Sequence, residues 1–179
     1  MSNRLFHFSD DSTIELFRPR SVRVSVERPK GLDRLNGPLV WAIDEWHQPM
    51  YIFPRECPRI LLWRKKNTTD RDAEKYFGSS TFRMLAYIEK GWEAMLKEAI
   101  VYRYELPCHT FTSLDDAGMW VSDETVHPIE KLAYSDLPRC LLEDDVELRV
   151  IPSLSVLRDA WDSSLHVSGI RLRNANQRS

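Results

Sequence analysis

Short apolar segments recur along the whole chain, and turn-forming residues interrupt each of them before it becomes long. Segments rich in β-branched and aromatic residues predict strands, and the helix patterns between them are short and irregularly spaced. This mixture favours an α+β protein over a doubly wound parallel sheet. The predicted strands are Arg4–Phe8, Leu39–Ile43, Arg59–Trp63, Thr81–Ile88, Ile100–Leu106, Gly118–Ser122, Pro128–Ala133, Glu147–Ile151 and His166–Leu172. The predicted helices are Glu45–Phe53, Asp70–Phe77, Trp92–Ala99, Asp136–Glu143 and Leu154–Ser163, and a capped turn runs from Asp10 through Phe17 to Pro19.

The length suits one domain with a sizeable core, or at most two very small ones, and we predict a single domain spanning residues 1–179. The formal net charge of −2, with acidic and basic residues mixed, excludes a global polycation for nucleic acid. The first residues lack the apolar run of a signal peptide, and no apolar stretch reaches membrane-spanning length. Cys57, Cys108 and Cys140 are distant from one another and match neither a metal motif nor a disulfide framework. We therefore expect reduced thiols in a cytoplasmic protein without a membrane partner.

The familiar nucleotide and metal motifs are absent from the sequence. Neither GxGxxG nor GxxxxGK[ST] occurs, which argues against a Rossmann or P-loop site. None of the five histidines is spaced three or four residues from another, so the sequence does not support a helix-borne zinc site. A nucleophile elbow of the GxSxG type is also missing.

Two pairs of residues near the amino terminus are candidates for ligand contacts. His7 and Ser9 share one face of the first predicted strand, where an imidazole and a hydroxyl can both hydrogen-bond a ribose. The alternative is a core histidine whose nitrogens bond the backbone. Arg18 and Arg20 flank Pro19 and can hold a diphosphate by bidentate contacts, but they can equally be solvated or paired with acids.

Aromatic residues cluster in LVWAIDEWHQPMY, where a predicted strand runs into a turn. Trp41, Trp46 and Tyr51 suit stacking on a flat ligand, although large aromatics also fill cores. At the other end of the chain, Arg171 and Arg173 share one face of the last predicted strand. They can serve a phosphate or form a solvated edge.

Several longer segments carry a resemblance to known families. These segments are HFSDD, FRPR, PLVWAIDEWHQPMYIFPRECPR, YRYELP, GMWVSDETV and IRLRNA. Through them the chain resembles, nearly end to end, an uncharacterised small bacterial protein family. The amino-terminal half is more distantly similar in layout to the ADP-ribosyltransferase superfamily, in its diphtheria-toxin and poly(ADP-ribose)-polymerase branch. This resemblance implies a split mixed or antiparallel sheet with short flanking helices, and NAD as the substrate.

The resemblance also implies roles for individual residues. His7 falls at the position of a ribose-binding histidine, with Ser9 as a nearby polar contact. Trp41 falls on the strand that follows, and Gln48 near a polar residue that bonds the nicotinamide amide. Tyr51 falls at a tyrosine that stacks on nicotinamide. LVWAIDEWHQPMY is thereby interpreted as one wall of a nicotinamide pocket.

The branch also places a catalytic glutamate on a late strand, and here the sequence departs from the pattern. Met119 occupies that position, and Glu124 replaces the carboxylate only if the strand is bulged. The leading prediction is ADP-ribosyl transfer from NAD, with His7 and Glu124 as catalytic residues. The acceptor, whether protein, nucleic acid or small molecule, is unspecified. The alternatives are a non-catalytic nucleotide-binding or interaction module on the same fold, and a phosphate-handling enzyme acting on RNA ends.

Overall fold

The computed structural model describes residues 4–22 and 27–175. Contacts between Cα atoms divide the chain into two compact units. The first unit comprises Met1–Gln48 and Tyr102–Ala133, and the second comprises Pro49–Val101 and Tyr134–Ser179. Both units combine strands with short helical segments, which confirms an α+β protein. The single domain over residues 1–179 stays a prediction.

A six-stranded sheet forms the first unit. Its strands are β1 (Leu5–Ser9), β2 (Val40–Asp44), β5 (Val101–Leu106), β6 (Thr112–Ser113), β7 (Met119–Ser122) and β8 (Glu130–Tyr134). They lie in the order β6-β7-β2-β1-β5-β8. The pairs β1–β2, β1–β5, β2–β7 and β6–β7 are antiparallel. Strands that are distant in sequence therefore become neighbours.

One face of this sheet carries the larger apolar cluster of the first unit. Because side chains alternate along a strand, Leu5, His7 and Ser9 of β1 share a face, which we call the His7 face. Its apolar cluster consists of Leu5, Phe17, Val40, Ala42, Tyr104, Leu106, Phe111 and Val126. The opposite face, here the Phe6 face, carries Phe6 together with the partners that lie directly across from it.

A four-stranded sheet forms the second unit. Its strands are β3 (Arg59–Trp63), β4 (Met84–Glu89), β9 (Val146–Ile151) and β10 (His166–Ile170), in the order β10-β3-β4-β9. All residues of β3 and β4 are buried, which explains why their sequences are almost continuously apolar. Alternate residues of β3 and β4 pack with residues of the flanking helical segments. Together they form the apolar cluster Ile60, Leu62, Tyr76, Phe77, Leu85, Tyr87, Leu154, Leu157, Ala160 and Leu165.

Three α-helices agree with their sequence signals. Helix α1 (Asp70–Phe77) begins after Thr69, whose side chain accepts a hydrogen bond from the backbone N–H of Asp72, and ends at Gly78. Helix α2 spans Glu93–Glu98. Helix α3 (Leu137–Glu143) begins after Asp136, whose carboxylate caps Arg139.

Three of the predicted helical segments are wrong or only partly formed. Residues 10–19 form an irregular segment instead of a capped turn of helix, because Phe17 exchanges backbone hydrogen bonds with Val126. Within the predicted helix Glu45–Phe53, only the 3-10 turn Gln48–Tyr51 is helical. The amphipathic segment near the carboxyl terminus is a 3-10 helix, Leu154–Asp162.

That 3-10 geometry changes which residues are buried. Three residues per turn place Leu154, Leu157 and Ala160 on the buried side. Trp161, which the α-helical pattern assigns to the same face, is 47% exposed.

Within the described ranges, no helix combines the length and apolar character needed to cross a membrane.

Candidate functional site

The pairing between β1 and β2 ends early. Strand β1 pairs with β5 through five residue pairs, from Leu5 to Ser9, but its ladder with β2 consists of Leu5–Asp44 and Phe6–Ile43. Beyond Phe6 the backbone carbonyl of Trp41 lies 2.9 Å from Nδ1 of His7. The His7 side chain thus bonds the Trp41 carbonyl at the point where the backbone ladder between β1 and β2 stops. We call this place the β1–β2 opening.

The contact with Trp41 fixes the chemistry of His7. A carbonyl oxygen only accepts, so Nδ1 carries the hydrogen and donates it. In the neutral imidazole the lone pair then resides on Nε2, which is an acceptor. The ring is half-buried and contacts Phe17, with ring centroids 4.8 Å apart. Its tautomer and its orientation are therefore both set by neighbouring groups.

Several predicted site residues gather at one end of the sheet. Strands β1 and β7 run in the same direction, because both are antiparallel to β2. Their last residues, Ser9 and Ser122, consequently lie at the same end, two strands or roughly 10 Å apart. We call this the Ser9 end. The backbone of Arg20 joins it, since Arg20 exchanges hydrogen bonds with Leu39 at the start of β2.

The loop after β1 is held by a local network. The buried Ser9 hydroxyl accepts a hydrogen bond from the Asp11 backbone N–H, and the Asp11 carboxylate accepts from both the N–H and the hydroxyl of Thr13. The bonds from Thr13 lower the pKa of Asp11. The Tyr104 hydroxyl donates to the Asp11 carbonyl at 2.7 Å. The loop is thus tied to the sheet on the His7 face.

Glu124 also belongs to the Ser9 end, but not through a bulge. Strand β7 pairs with β2 in unbroken register from Met119 to Ser122, which corrects the bulge that the sequence suggested. Glu124 is exposed on the bend that follows. Its backbone N–H donates to the Ser122 hydroxyl, which in turn donates to Thr110.

The register assigns Met119 to the other face of the sheet. Met119 lies opposite Ile43, and Ile43 lies opposite Phe6. Side chains of directly opposed residues share a face. Met119 therefore projects on the Phe6 face, away from His7.

Trp41 and Gln48 do not join His7 on its face. Trp41 packs against Leu35, Leu39 and Val121 on the Phe6 face. Gln48 is buried, and its side-chain oxygen accepts a hydrogen bond at 3.1 Å from the buried Arg103.

That guanidinium lies over the Phe6 ring, 4.4 Å from its centroid. Gln48 is thereby tied to the Phe6 face, and only the backbone of Trp41 reaches the β1–β2 opening. Arg18 is exposed, one residue after Phe17.

Tyr51 belongs to the second unit. It is half-buried at the end of the 3-10 turn, and the guanidinium of Arg59 lies 5.7 Å from its ring centroid. Burial raises the pKa of Tyr51, and the charge of Arg59 opposes that rise. Arg59 itself donates to the backbone carbonyls of Met50 and Cys57, and burial lowers its pKa to about 10. Its guanidinium stays protonated at neutral pH.

The carboxyl-terminal arginines clamp a loop of the second unit. Strand β10 ends at Ile170, earlier than predicted, and Arg171 has a positive φ of 55°. Arg171 and Arg173 therefore do not share a strand face. Their guanidinium groups lie 3.7 and 3.5 Å from the Glu56 carboxylate.

One polar pair, Asp44 and His47, was not predicted from the sequence. The Asp44 carboxylate accepts hydrogen bonds from both the backbone N–H and the ring Nδ1 of His47, each at 2.8 Å. Gly118, with φ +70°, lies so close that an added Cβ would be 2.2 Å from that ring nitrogen. A DxxH pattern directly after a strand was the available signal. Within the described ranges, no group of three or more His, Cys, Asp or Glu residues is arranged to hold a metal ion.

The comparisons with known proteins give a family but no activity. Neither a curated protein nor a solved structure matches the chain. One family model does match, and it covers residues 6–175, which is nearly the whole sequence. The chain belongs to DUF6886, a family of unknown function.

Proposed function

We propose that the chain binds NAD or a related ribonucleotide at the β1–β2 opening of the first unit. One observation supports this proposal most directly: the ladder between β1 and β2 stops at Phe6, and His7 takes the Trp41 carbonyl in its place. At this point a side chain of β1, instead of its backbone, contacts β2, and we propose that the ligand lies beside that side chain. The distant resemblance to ADP-ribosyltransferases supports the same ligand.

The residues at the opening suit the polar groups of a ribonucleotide. The His7 imidazole, which the Trp41 carbonyl orients through Nδ1, contacts the ribose in the proposed complex. Ser9 follows two residues later on the same face, roughly 7 Å along the strand. The exposed guanidinium groups of Arg18 and Arg20 supply the positive charge that a diphosphate requires. Stacking of Tyr51 on nicotinamide stays a prediction.

ADP-ribosyl transfer is the reaction we propose for the bound NAD. In this reaction the bond between ribose and nicotinamide breaks, nicotinamide leaves with the bonding electrons, and the acceptor's nucleophile bonds to the ribose carbon. A carboxylate stabilises the positive charge that develops on the ribose. Glu124 is favoured for this role because its backbone is anchored to Ser122 at the Ser9 end. The non-catalytic module is favoured by the other observation, that Met119 projects away from His7.

Calorimetric titration with NAD, ADP-ribose and AMP tests the binding. The sharpest variant is His7→Asn, because the Asn amide nitrogen replaces Nδ1 at the Trp41 carbonyl while Nε2 is lost. We expect NAD affinity to fall by about 0.5–1.5 kcal/mol, the net value of one hydrogen bond. The matched control is His127→Ala, which removes an exposed histidine and should bind like wild type. Absence of heat and of a melting shift with excess NAD refutes the proposal, as does unchanged binding by His7→Asn.

A second measurement separates the transferase from the module. Nicotinamide release and label transfer are compared for wild type, Glu124→Gln and the exposed control Glu130→Gln. The transferase predicts a loss of roughly 10²–10³ in rate for Glu124→Gln alone. NAD binding without turnover by wild type supports the module. Binding of RNA ends without binding of NAD supports the phosphate-handling alternative.

A further inference from the structure

A pocket of about 400 Å³ lies at the Ser9 end of the first unit. Its wall comes from the 3-10 helix Asp33–Asn36 and the residues between it and β2, from the end of the 3-10 turn Cys108–Thr110, from β6, and from the end of β7. None of its residues is among those the sequence predicted for a site. Arg34, Thr110, Thr112, Ser122 and Asp123 supply its polar groups, and Gly37, Pro38, Leu39 and Val121 complete it. Pockets of this size hold small ligands in other proteins.

The hydroxyl groups of this pocket have a defined arrangement. The Ser122 side chain is buried, donates to Thr110 at 3.0 Å and accepts from the backbone N–H of Glu124. Because its oxygen both donates and accepts within the wall, Ser122 orders the wall rather than the ligand. The Thr110 oxygen accepts from Ser122, so its own hydrogen is available to donate. Thr112 lies on the edge strand β6 and is exposed.

The charged groups select the class of ligand. Arg34 brings a guanidinium, which pairs with planar or tetrahedral oxyanions through two parallel hydrogen bonds. Asp123 brings a carboxylate, which accepts only, and therefore suits a ligand that donates from hydroxyls. A ligand with an anionic group alone would meet repulsion from Asp123. The pocket thus suits a molecule that carries a phosphate and several hydroxyls together.

We propose that this pocket binds a monosaccharide phosphate. Arg34 pairs with the phosphate, Asp123 accepts from the sugar hydroxyls, and the Thr110 and Thr112 hydroxyls complete the contacts. The site uses no residue of the β1–β2 opening, so it does not depend on NAD binding there.

Ribose 5-phosphate is the probe that tests this site, measured by amide chemical-shift perturbation on the full chain. We expect saturable shifts at pocket residues, and at least tenfold weaker binding for Arg34→Gln and for Asp123→Asn, because each removes a hydrogen bond to a charged group. Arg71→Gln removes an exposed guanidinium from α1 and should bind like wild type. Thr112→Val keeps the shape of an exposed side chain and should weaken binding without affecting folding.

Two comparisons decide the outcome. Ribose alone and inorganic phosphate alone should each bind more weakly than ribose 5-phosphate, because each engages one charged residue. Inorganic phosphate that binds as tightly as ribose 5-phosphate overturns the sugar assignment. Absence of pocket shifts at millimolar ribose 5-phosphate, in a wild-type protein with a native spectrum, overturns the site altogether.

Discussion

Replacing Gly118 by alanine tests how closely the Asp44 and His47 side chains pack against this glycine. The new Cβ would lie 2.2 Å from the ring nitrogen Nδ1 of His47 and 2.7 Å from Cγ of Asp44, so these side chains must shift. Two hydrogen bonds to the Asp44 carboxylate are then at risk, each with a net value of about 0.5–1.5 kcal/mol. The positive φ of 70° adds about 1–2 kcal/mol for a residue with a side chain. We expect the free energy of unfolding to fall by about 2–5 kcal/mol.

Two other glycines separate these contributions. Gly31 has φ +90° with nothing within 4 Å of an added Cβ, so Gly31→Ala reports the backbone strain alone. Gly91 has neither a positive φ nor a near neighbour, so Gly91→Ala should be neutral or slightly stabilising. Urea denaturation of wild type and the three variants gives the differences in the free energy of unfolding, provided that the m-value is unchanged. A cost for Gly118→Ala no greater than that for Gly31→Ala would refute the packing of Asp44 and His47 against this glycine.

Three further tests concern the second unit, and one of them uses a thiol of the first unit as its reference. The buried Tyr76 hydroxyl has no hydrogen-bond partner among the residues described, so Tyr76→Phe should keep the free energy of unfolding or raise it by up to about 1 kcal/mol; a clear loss would reveal a missed partner. Burial raises the pKa of Cys57 to about 11, so at about pH 8 a thiol reagent should label the half-buried Cys108 and spare Cys57 until the protein unfolds, as mass spectrometry would show. Hydrogen bonds from Ser164 lower the pKa of Asp72 below 3.8, so its stabilisation is present above that pH and is lost as the pH falls through the folded-state pKa. The stability difference between wild type and Asp72→Asn should therefore shrink in acid, and a difference independent of pH contradicts this reasoning.

The strands were predictable because their signals are local. Alternation or continuity of apolar residues located nearly every strand to within a few residues, and Thr69 and Gly78 marked the two ends of α1. The segment after β2 was not predictable in the same way. Its helical pattern is overridden at Asp44, whose backbone N–H donates to the Gly118 carbonyl and whose side chain caps His47. Gly118 is remote in sequence, and no local pattern reveals that contact.

The sequence predicted which residues of one strand lie together better than it predicted which face of the sheet each strand presents. Alternation along β1 put His7 and Ser9 together, as the structure has them. The face of Trp41 relative to His7 depends on how β2 pairs with β1, and the sequence does not specify that register. The side-chain bond from His7 to the Trp41 carbonyl likewise depends on the β1–β2 ladder ending at Phe6, which no spacing within either strand encodes.

The register of β7 leads to a final prediction about the enzyme hypothesis. The resemblance to ADP-ribosyltransferases suggests that Met119→Glu would restore the missing catalytic carboxylate. The unbroken pairing of β7 with β2 instead projects residue 119 on the Phe6 face, opposite Ile43. Only a one-residue slip of the strand would turn it toward His7, and such a slip would also turn the buried Val121 out of its cluster.

We therefore expect Met119→Glu to leave NAD turnover unchanged from wild type, whatever the wild-type rate is, and to lower the midpoint of thermal unfolding because it puts a charge beside Ile43. Nicotinamide release and a melting curve check both expectations on the same preparation. A rise in turnover would mean that residue 119 faces the bound nucleotide, and it would refute the assignment of the two faces on which the proposed site depends.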